Sequence, residues 1–500
     1  MNNIYFKVIL TTTAIFSGIF SGAQHYSLTW KNFNVKDDTR LEILGTLDAR
    51  PSDGTGNSYW SVGCETLDRD MAVFSEYKDY VGQLGVGYAR IQSGWAKCEK
   101  EEGVYDFAWL DEIVDGLLGQ GVKPWMCLCY GNPVYNSEGA DLGSAIFTSK
   151  TAMNAWCRYV EQVVRRYKGK VTMYEVWNEP NLGNNKAYPE RYAELFTNTA
   201  RTIRKIDKDV YIAGMSLSGS LPLDYPEKVF EILKKKGTAE LMQFVTFHPY
   251  WPNPDDASAT ILKLRELAKS YNPDAEILQG ETGCPAILEW GHALSYREWT
   301  EYSQVKWVLR RMANDFRMEI PSSIFTMVDL QYKNMLQSFG LIRMNLLKQP
   351  VYKRPTFYAV QHMANVFTTD MKPFMEGLEI SCRTDHEINF TGIKKDGRCV
   401  GVMMWFCENI PSDSISKEKL NVTVNGLTLE HPVLLDPLTG RVYSLKDVVI
   451  RGGNTLGRMK FTGLPMWDSP LIIIEKDALR FSASDSEAVA NDGKTQETFI

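Results

Sequence analysis

Residues 174–181 read YEVWNEPN, an apolar run that ends in Asn178, Glu179 and Pro180. Proline cannot donate to a strand ladder, and it pushes the residue before it out of the helical region, so a strand entering this stretch stops near Glu179. A carboxylate at a strand end stores little structure but presents an ionisable group well. What it faces depends on how many such strands the chain builds. From Tyr59 to about Phe367, short apolar runs alternate with longer amphipathic segments. The strand candidates are WSVGCE (60–65), YARIQS (88–93), KPWMCLCY (123–130), TMYEVWNE (172–179), VYIAGMS (210–216), FVTFHPY (244–250), EILQGET (276–282) and SSIFTMVDL (322–330). Between them, TAMNAWCRYVEQVVRRYKG (151–169) and YREWTEYSQVKWVLRRMANDFRM (296–318) keep three- and four-residue apolar spacing, and RPTFYAVQHMANVF (354–367) supplies a last helix. Eight strand-helix units predict an α/β fold, a parallel (β/α)8 TIM barrel over 59–370, with Glu179 ending the fourth strand.

Beyond Pro373 the rhythm shortens. GLEISCR (377–383), CVGVMMWF (399–406), NVTVNG (421–426), HPVLLDP (431–437) and SPLIIIEK (469–476) are separated by turn signals such as Lys395-Asp396-Gly397 and Asp436-Pro437. They predict a C-terminal antiparallel β-sandwich over 373–478. Residues 24–58 are expected to add a strand to that sandwich or to pack on the barrel. Residues 479–500 lack periodicity and read as a disordered tail. At the other end, Lys7 is the only charge ahead of the apolar run VILTTTAIFSGIF, and Ser21-Gly22-Ala23 offers small residues for cleavage. That pattern predicts a signal peptide over 1–23, too short and too interrupted for a membrane span, and hence an exported protein, periplasmic or extracellular.

A net charge of -6 disfavours nucleic acid or an anionic membrane as a partner. Aromatic residues make up 12% of the chain, enough for stacking on sugars as well as for core packing. With nine cysteines, at least one thiol stays unpaired; Cys127 and Cys129 share one face of an apolar strand and read as small buried hydrophobes. The six histidines are scattered and form no H-E-x-x-H, so neither a catalytic metal nor a cofactor is expected.

In such a barrel the chemistry gathers where the strands end. The stretch EILQGETGCP places Glu281 at a second strand end, 102 residues after Glu179, or 34 for each of three units, which makes it the end of strand seven. Two glutamates across one barrel mouth can flank a single bond. Glycoside hydrolysis requires this: one carboxylic acid to protonate the leaving oxygen, and one carboxylate to attack or to activate water.

YEVWNEPN followed three units later by QGETG resembles glycoside hydrolase clan A, the retaining β-glycosidases on (β/α)8 barrels. RIQSGWAKCEKEEGVYDFAWLDEIVDGLLGQGVKPW (90–125) is similar to the second and third units of family 39 and its relatives. LLDPLTGRVYSL (434–445) resembles their accessory sandwich. The resemblance implies Glu179 as acid/base, Glu281 as nucleophile and Asn178 as donor to the sugar 2-hydroxyl. Arg90 matches the strand-two arginine; it either keeps a neighbouring carboxylate ionised or pairs with Glu175 inside the barrel, and the two roles are compatible. His248 and Tyr250 end strand six and can hold the nucleophile as an anion in its rotamer. Glu65, Trp95, Tyr130 and Asn132 follow strands one to three and are candidates to line the sugar subsite. The clan usually places a tryptophan at the end of strand eight; here Phe325, Asp329 and Tyr332 stand there, and Asp329 either binds hydroxyls or caps its loop. The expected function is a secreted retaining β-glycosidase acting on oligo- or polysaccharides, with an endo-acting glycanase or a non-catalytic carbohydrate-binding protein as alternatives. Sugar, linkage and oligomeric state are not legible at this level.

Overall fold

The computed structural model describes residues 38–483 except 56, 57, 59, 137, 138 and 450–456. The expected signal peptide lies outside the described residues, as does the tail beyond 483. Eight parallel strands close on themselves: β1 Trp60–Gly63, β2 Tyr88–Gln92, β3 Lys123–Leu128, β4 Met173–Val176, β5 Tyr211–Ser218, β6 Phe244–His248, β7 Glu276–Thr282 and β8 Ser322–Ile324. Trp60 pairing with Ser322 closes the ring. Among the described residues, seven strands lead into a long helix: α1 Ala108–Gly119, α2 Lys150–Arg166, α3 Pro189–Ile206, α4 Asp224–Lys236, α5 Ser258–Tyr271, α6 Glu301–Arg317 and α7 Pro355–Val366. The first connection differs from the regular pattern and contains only short helical turns, among them Leu67–Arg69 and Lys78–Val81. Thr66 and Asp70 bracket the earlier turn in left-handed backbone, φ 66° and 56°, which a right-handed helix cannot propagate.

Each helix buries one stripe against the barrel. In α2, Ala152, Ala155, Trp156, Tyr159, Val160, Val163 and Val164 are buried at helical spacing, and the Ser149 side chain caps the N-terminus by accepting from the Ala152 N–H. Inside the ring, Trp125, Met173, Ala213 and Leu278 form a small apolar layer. Two residues further along β3 and β4 come Cys127 and Glu175, paired in register, and there the interior turns polar. The functional end is therefore built on a hydrophobic floor.

The C-terminal domain is antiparallel. Its larger sheet runs in the order Met371–Phe374, Ile388–Lys395, Arg398–Phe406, Leu471–Glu475, Pro432–Asp436, Arg441–Ser444, Ile43–Leu47 and Phe481–Ala483. A second sheet holds Glu379–Cys382, Glu418–Asn425 and Arg458–Met466. The segment ahead of the barrel thus contributes a strand between two C-terminal ones. Phe481–Ala483, at the start of the stretch expected to be a disordered tail, pairs with that strand instead, because Gly45, Thr46 and Leu47 offer it an open edge. All nine cysteines are unbridged, and Cys127 and Cys129 are buried. No helix among the described residues is long and apolar enough to cross a membrane.

Barrel and sandwich meet through buried charge. Arg310 of α6 donates to Asp255 Oδ2 (2.8 Å), Asn253 Oδ1 (2.8 Å) and the carbonyls of Cys407 and Asn409 (2.7 Å each). Asp255 Oδ1 also accepts from Asn389 (2.9 Å) and Trp405 (3.0 Å) of the sandwich. Asn253 and Asp255 belong to the loop after β6, which also carries Tyr250. Asp255→Ala leaves the buried Arg310 without its counter-charge and should cost about 3–5 kcal/mol. Chemical denaturation measures this, and a loss under about 1 kcal/mol would show that the junction is not a structural keystone.

Candidate active site

β4 stops at Val176, and Glu179 lies three residues beyond it rather than on the strand itself. Trp177 and Glu179 both adopt left-handed backbone, φ 68° and 52°, at a cost of roughly 1–2 kcal/mol each for residues other than glycine. No ladder continues through such residues; the chain turns there. Glu281 lies within β7. One oxygen of Glu179, one of Glu281 and a ring nitrogen of His248 all lie within 4.8 Å of one another. His248 Nδ1 is 3.4 Å from Glu179 Oε1 and 3.6 Å from Glu281 Oε2. Gly280 permits this arrangement, since a Cβ there would stand 2.6 Å from His248 Nε2. The glycine of QGET makes room for an imidazole between two carboxyls. The same three side chains could hold a divalent transition-metal ion, but paired-carboxyl chemistry does not require one.

Beneath the pair, the buried guanidinium of Arg90 organises the mouth. It donates to Glu175 Oε2 (2.7 Å), Asn178 Oδ1 (2.7 Å), Glu65 Oε1 (3.2 Å) and Glu281 Oε2 (3.3 Å). Arg90 thus pairs with Glu175 inside the barrel and also reaches the Glu281 carboxyl. Glu175 is further satisfied by the hydroxyls of Ser216 (2.6 Å) and Thr246. Tyr250 donates its hydroxyl to Glu281 Oε1 (2.7 Å). Asn178, gripped by Arg90, donates from Nδ2 to the Tyr130 hydroxyl (2.9 Å).

Burial pushes the Glu179 carboxyl well above the usual range, and the charge of Glu281 pushes it further. Burial also raises Glu281; Arg90 opposes the rise of both carboxyls, but only Glu281 has hydrogen bonds from Arg90 and the Tyr250 hydroxyl to support its anion, which makes Glu179 the better holder of a proton. Burial, helped by Arg90, holds His248 neutral. A carboxyl whose folded pKa is raised costs stability as pH climbs above its unfolded value, here 4.5. Glu179→Gln should therefore melt at a higher temperature than the parent at pH 8, with the gap closing towards pH 4. An equal or lower melting temperature at pH 8 would mean that Glu179 is not strained by ionisation.

Residues 89–279 match the family pattern of glycosyl hydrolases family 39. Over 126 residues, 23% of this chain and 25% of the relative, the sequence is 26% identical to a β-xylosidase of Geobacillus stearothermophilus. Over 190 residues, 32% of this chain and 38% of the relative, it is 25% identical to a β-xylosidase of Caldicellulosiruptor saccharolyticus. The chain thus aligns with well under half the length of these curated relatives. In fold it is similar to a solved family 39 glycoside hydrolase from Bacteroides cellulosilyticus WH2, with TM-score 0.61 and 16% identity over 85% of this chain and 81% of that one. The central part of the barrel carries the sequence pattern of family 39 glycoside hydrolases. The matched segment contains Arg90, Asn178, Glu179, His248 and Tyr250 and stops two residues short of Glu281.

Not every candidate reaches the mouth of this barrel. Trp95 is fully buried behind it, stacked on Tyr135 and Tyr159, with its indole N–H donated to Glu99 (2.6 Å); it is a core residue, not a sugar platform. Asn132 is likewise structural, donating to the Glu99 carbonyl (2.7 Å) and accepting from the Val134 N–H (3.0 Å). Both follow a strand end, but their loops fold back against α2 instead of rising into solvent. Tyr130 sits one layer back and orients Asn178. Asp329 is buried and bound by both arms of Arg354 (2.6 and 3.0 Å), so it caps its loop and offers nothing to hydroxyls. Phe325 packs edge-on against Tyr250, with ring centres 6.5 Å apart. Tyr332, partly buried, lies against His292 at 4.3 Å. Sequence reading missed Arg69, which donates to Gln92 (2.6 Å) and faces the Tyr130 ring at 5.2 Å, because it sits on the irregular first connection. It also missed Ser216 and Thr246; Thr246 shares a strand face with His248, so strand alternation could have found it. A separate cleft of about 440 Å³, lined by Leu47, Arg50, Asp370 and Arg480 among others, contains none of these carboxyls.

Proposed function

We propose that the chain is an exported retaining β-glycosidase in which Glu179 is the acid/base and Glu281 the nucleophile. The observation that carries this is the oxygen-to-oxygen approach of the two carboxyls, within 4.8 Å. Retaining pairs stand roughly 5–5.5 Å apart, whereas an inverting pair needs about 6.5–9.5 Å to admit a water. In the first step a carboxylate oxygen of Glu281 attacks the anomeric carbon. The glycosidic C–O bond breaks, and its oxygen takes the proton of Glu179. In the second step Glu179, now a carboxylate, removes a proton from water, which attacks the same carbon and releases Glu281. Tyr250 and Arg90 hold Glu281 in line for the attack. Asn178, fixed by Arg90 and Tyr130, keeps a second amide N–H for a sugar hydroxyl.

The two curated relatives named above are β-xylosidases, so aryl β-xylosides are the first substrates to test, followed by β-glucosides, β-galactosides and β-mannosides. The signal-peptide pattern supports export. Proton NMR of the first product, recorded before mutarotation, tests the mechanism. A β anomer from a β-linked substrate is the expected result; an α anomer would discard the retaining assignment.

A further inference from the structure

Four carboxyl groups gather around one guanidinium in this mouth, and the catalytic scheme uses only two of them. Glu175 has Arg90 on one oxygen and two hydroxyl donors on the other. Glu281 receives the Tyr250 hydroxyl as well as a share of Arg90, and its side chain is 14% exposed. Glu65 differs from both. Its side chain is 1% exposed, its Oε1 has a single 3.2 Å contact with the Arg90 Nη1 that also serves Glu281, and its Oε2 is buried with no hydrogen-bond partner. It folds back along its own strand, so closely that a Cβ on Gly63 would lie 2.1 Å from that orphan oxygen. The other titratable groups that bear on it are the Cys64 thiol, the phenols of Tyr77, Tyr250 and Tyr332, and Glu281. Apart from Arg90, no cation stands among them.

One guanidinium cannot neutralise three buried carboxylates, and an ionised oxygen buried without a donor costs several kcal/mol. We propose that Glu65 is a positioning residue carried as the neutral carboxylic acid, with its proton on Oε2, so that the Arg90 charge is shared only between Glu175 and the nucleophile Glu281. Ionised Glu65 would compete for Nη1 and set a like charge beside Glu281. Burial, with the Glu281 charge added and Arg90 opposing, pushes Glu65 up to about 8, in keeping with this assignment. The protonation state stands independently of the reaction proposed above; only its effect on Glu281 rests on that reading.

Neutron diffraction of the deuterium-exchanged parent protein at pD near 6.5 tests the assignment without any variant. Deuterium density on Glu65 Oε2 is expected, and a bare carboxylate would overturn the proposal whether or not the protein hydrolyses glycosides. The kinetic counterpart is Glu65→Gln, which mimics the neutral acid. The acidic limb of its kcat/KM profile should coincide with that of the parent. A limb displaced downwards by about one pH unit would mean that the substitution removed a real negative charge next to the nucleophile, and that Glu65 is ionised in the working enzyme.

Discussion

Glu281→Ala should lower kcat/KM by on the order of 10⁵-fold, equally on activated aryl glycosides and on natural linkages, because the proposed nucleophile is gone. Arg90, Tyr250 and His248 remain in the variant, so binding and orientation survive while the bond-forming group is gone. The space vacated below the sugar also makes a definite product prediction. A small anion such as azide or formate entering there attacks from the face opposite the leaving group, so rescue of an activated β-glycoside should give the α-configured adduct. Activity within tenfold of the parent, in a variant whose circular dichroism is unchanged, would remove Glu281 from the mechanism.

The second large effect separates the two carboxyls. Glu179→Ala removes the proton donor and should slow substrates with poor leaving groups by roughly 10²–10⁴-fold. Good leaving groups need little protonation, so their glycosylation step should persist and the glycosyl-enzyme should accumulate for want of a base. Azide needs no base, and it should speed turnover and yield the β-azide, the opposite anomer to that from Glu281→Ala. The pH profile follows with the same signs. With the proposed roles, the parent's activity should rise as Glu281 loses its proton and fall as Glu179 loses its own, held to higher pH by burial and by the Glu281 charge. The resulting bell belongs to the coupled pair. In Glu179→Ala, on an activated substrate, the alkaline limb should vanish. Equal losses on good and poor leaving groups would mean that the roles are exchanged or misassigned.

The architecture was largely written in local periodicity. Eight apolar runs at strand length, separated by helical spacing, can bury their faces together only by closing into a ring, and each of the eight runs overlaps a strand of the closed barrel. The pairing of Glu179 with Glu281 was legible for the same reason, since three repeats of 34 residues place both at one rim. Periodicity says which face of an element a residue takes, but it is silent once the chain leaves the element. Trp95 and Asn132 follow strand ends as Glu179 does, yet their loops pack inwards against α2 and they became core. Asp329 looked available until Arg354, 25 residues on, bound both of its oxygens. The long-range contacts decided the rest: Arg90 touches Glu65, Glu175 and Glu281 across sequence separations of 25, 85 and 191 residues. Which carboxyl holds a proton depends on how one buried charge is divided among those partners. That division exists only after the barrel has closed and water has left, so tertiary structure alone decides it.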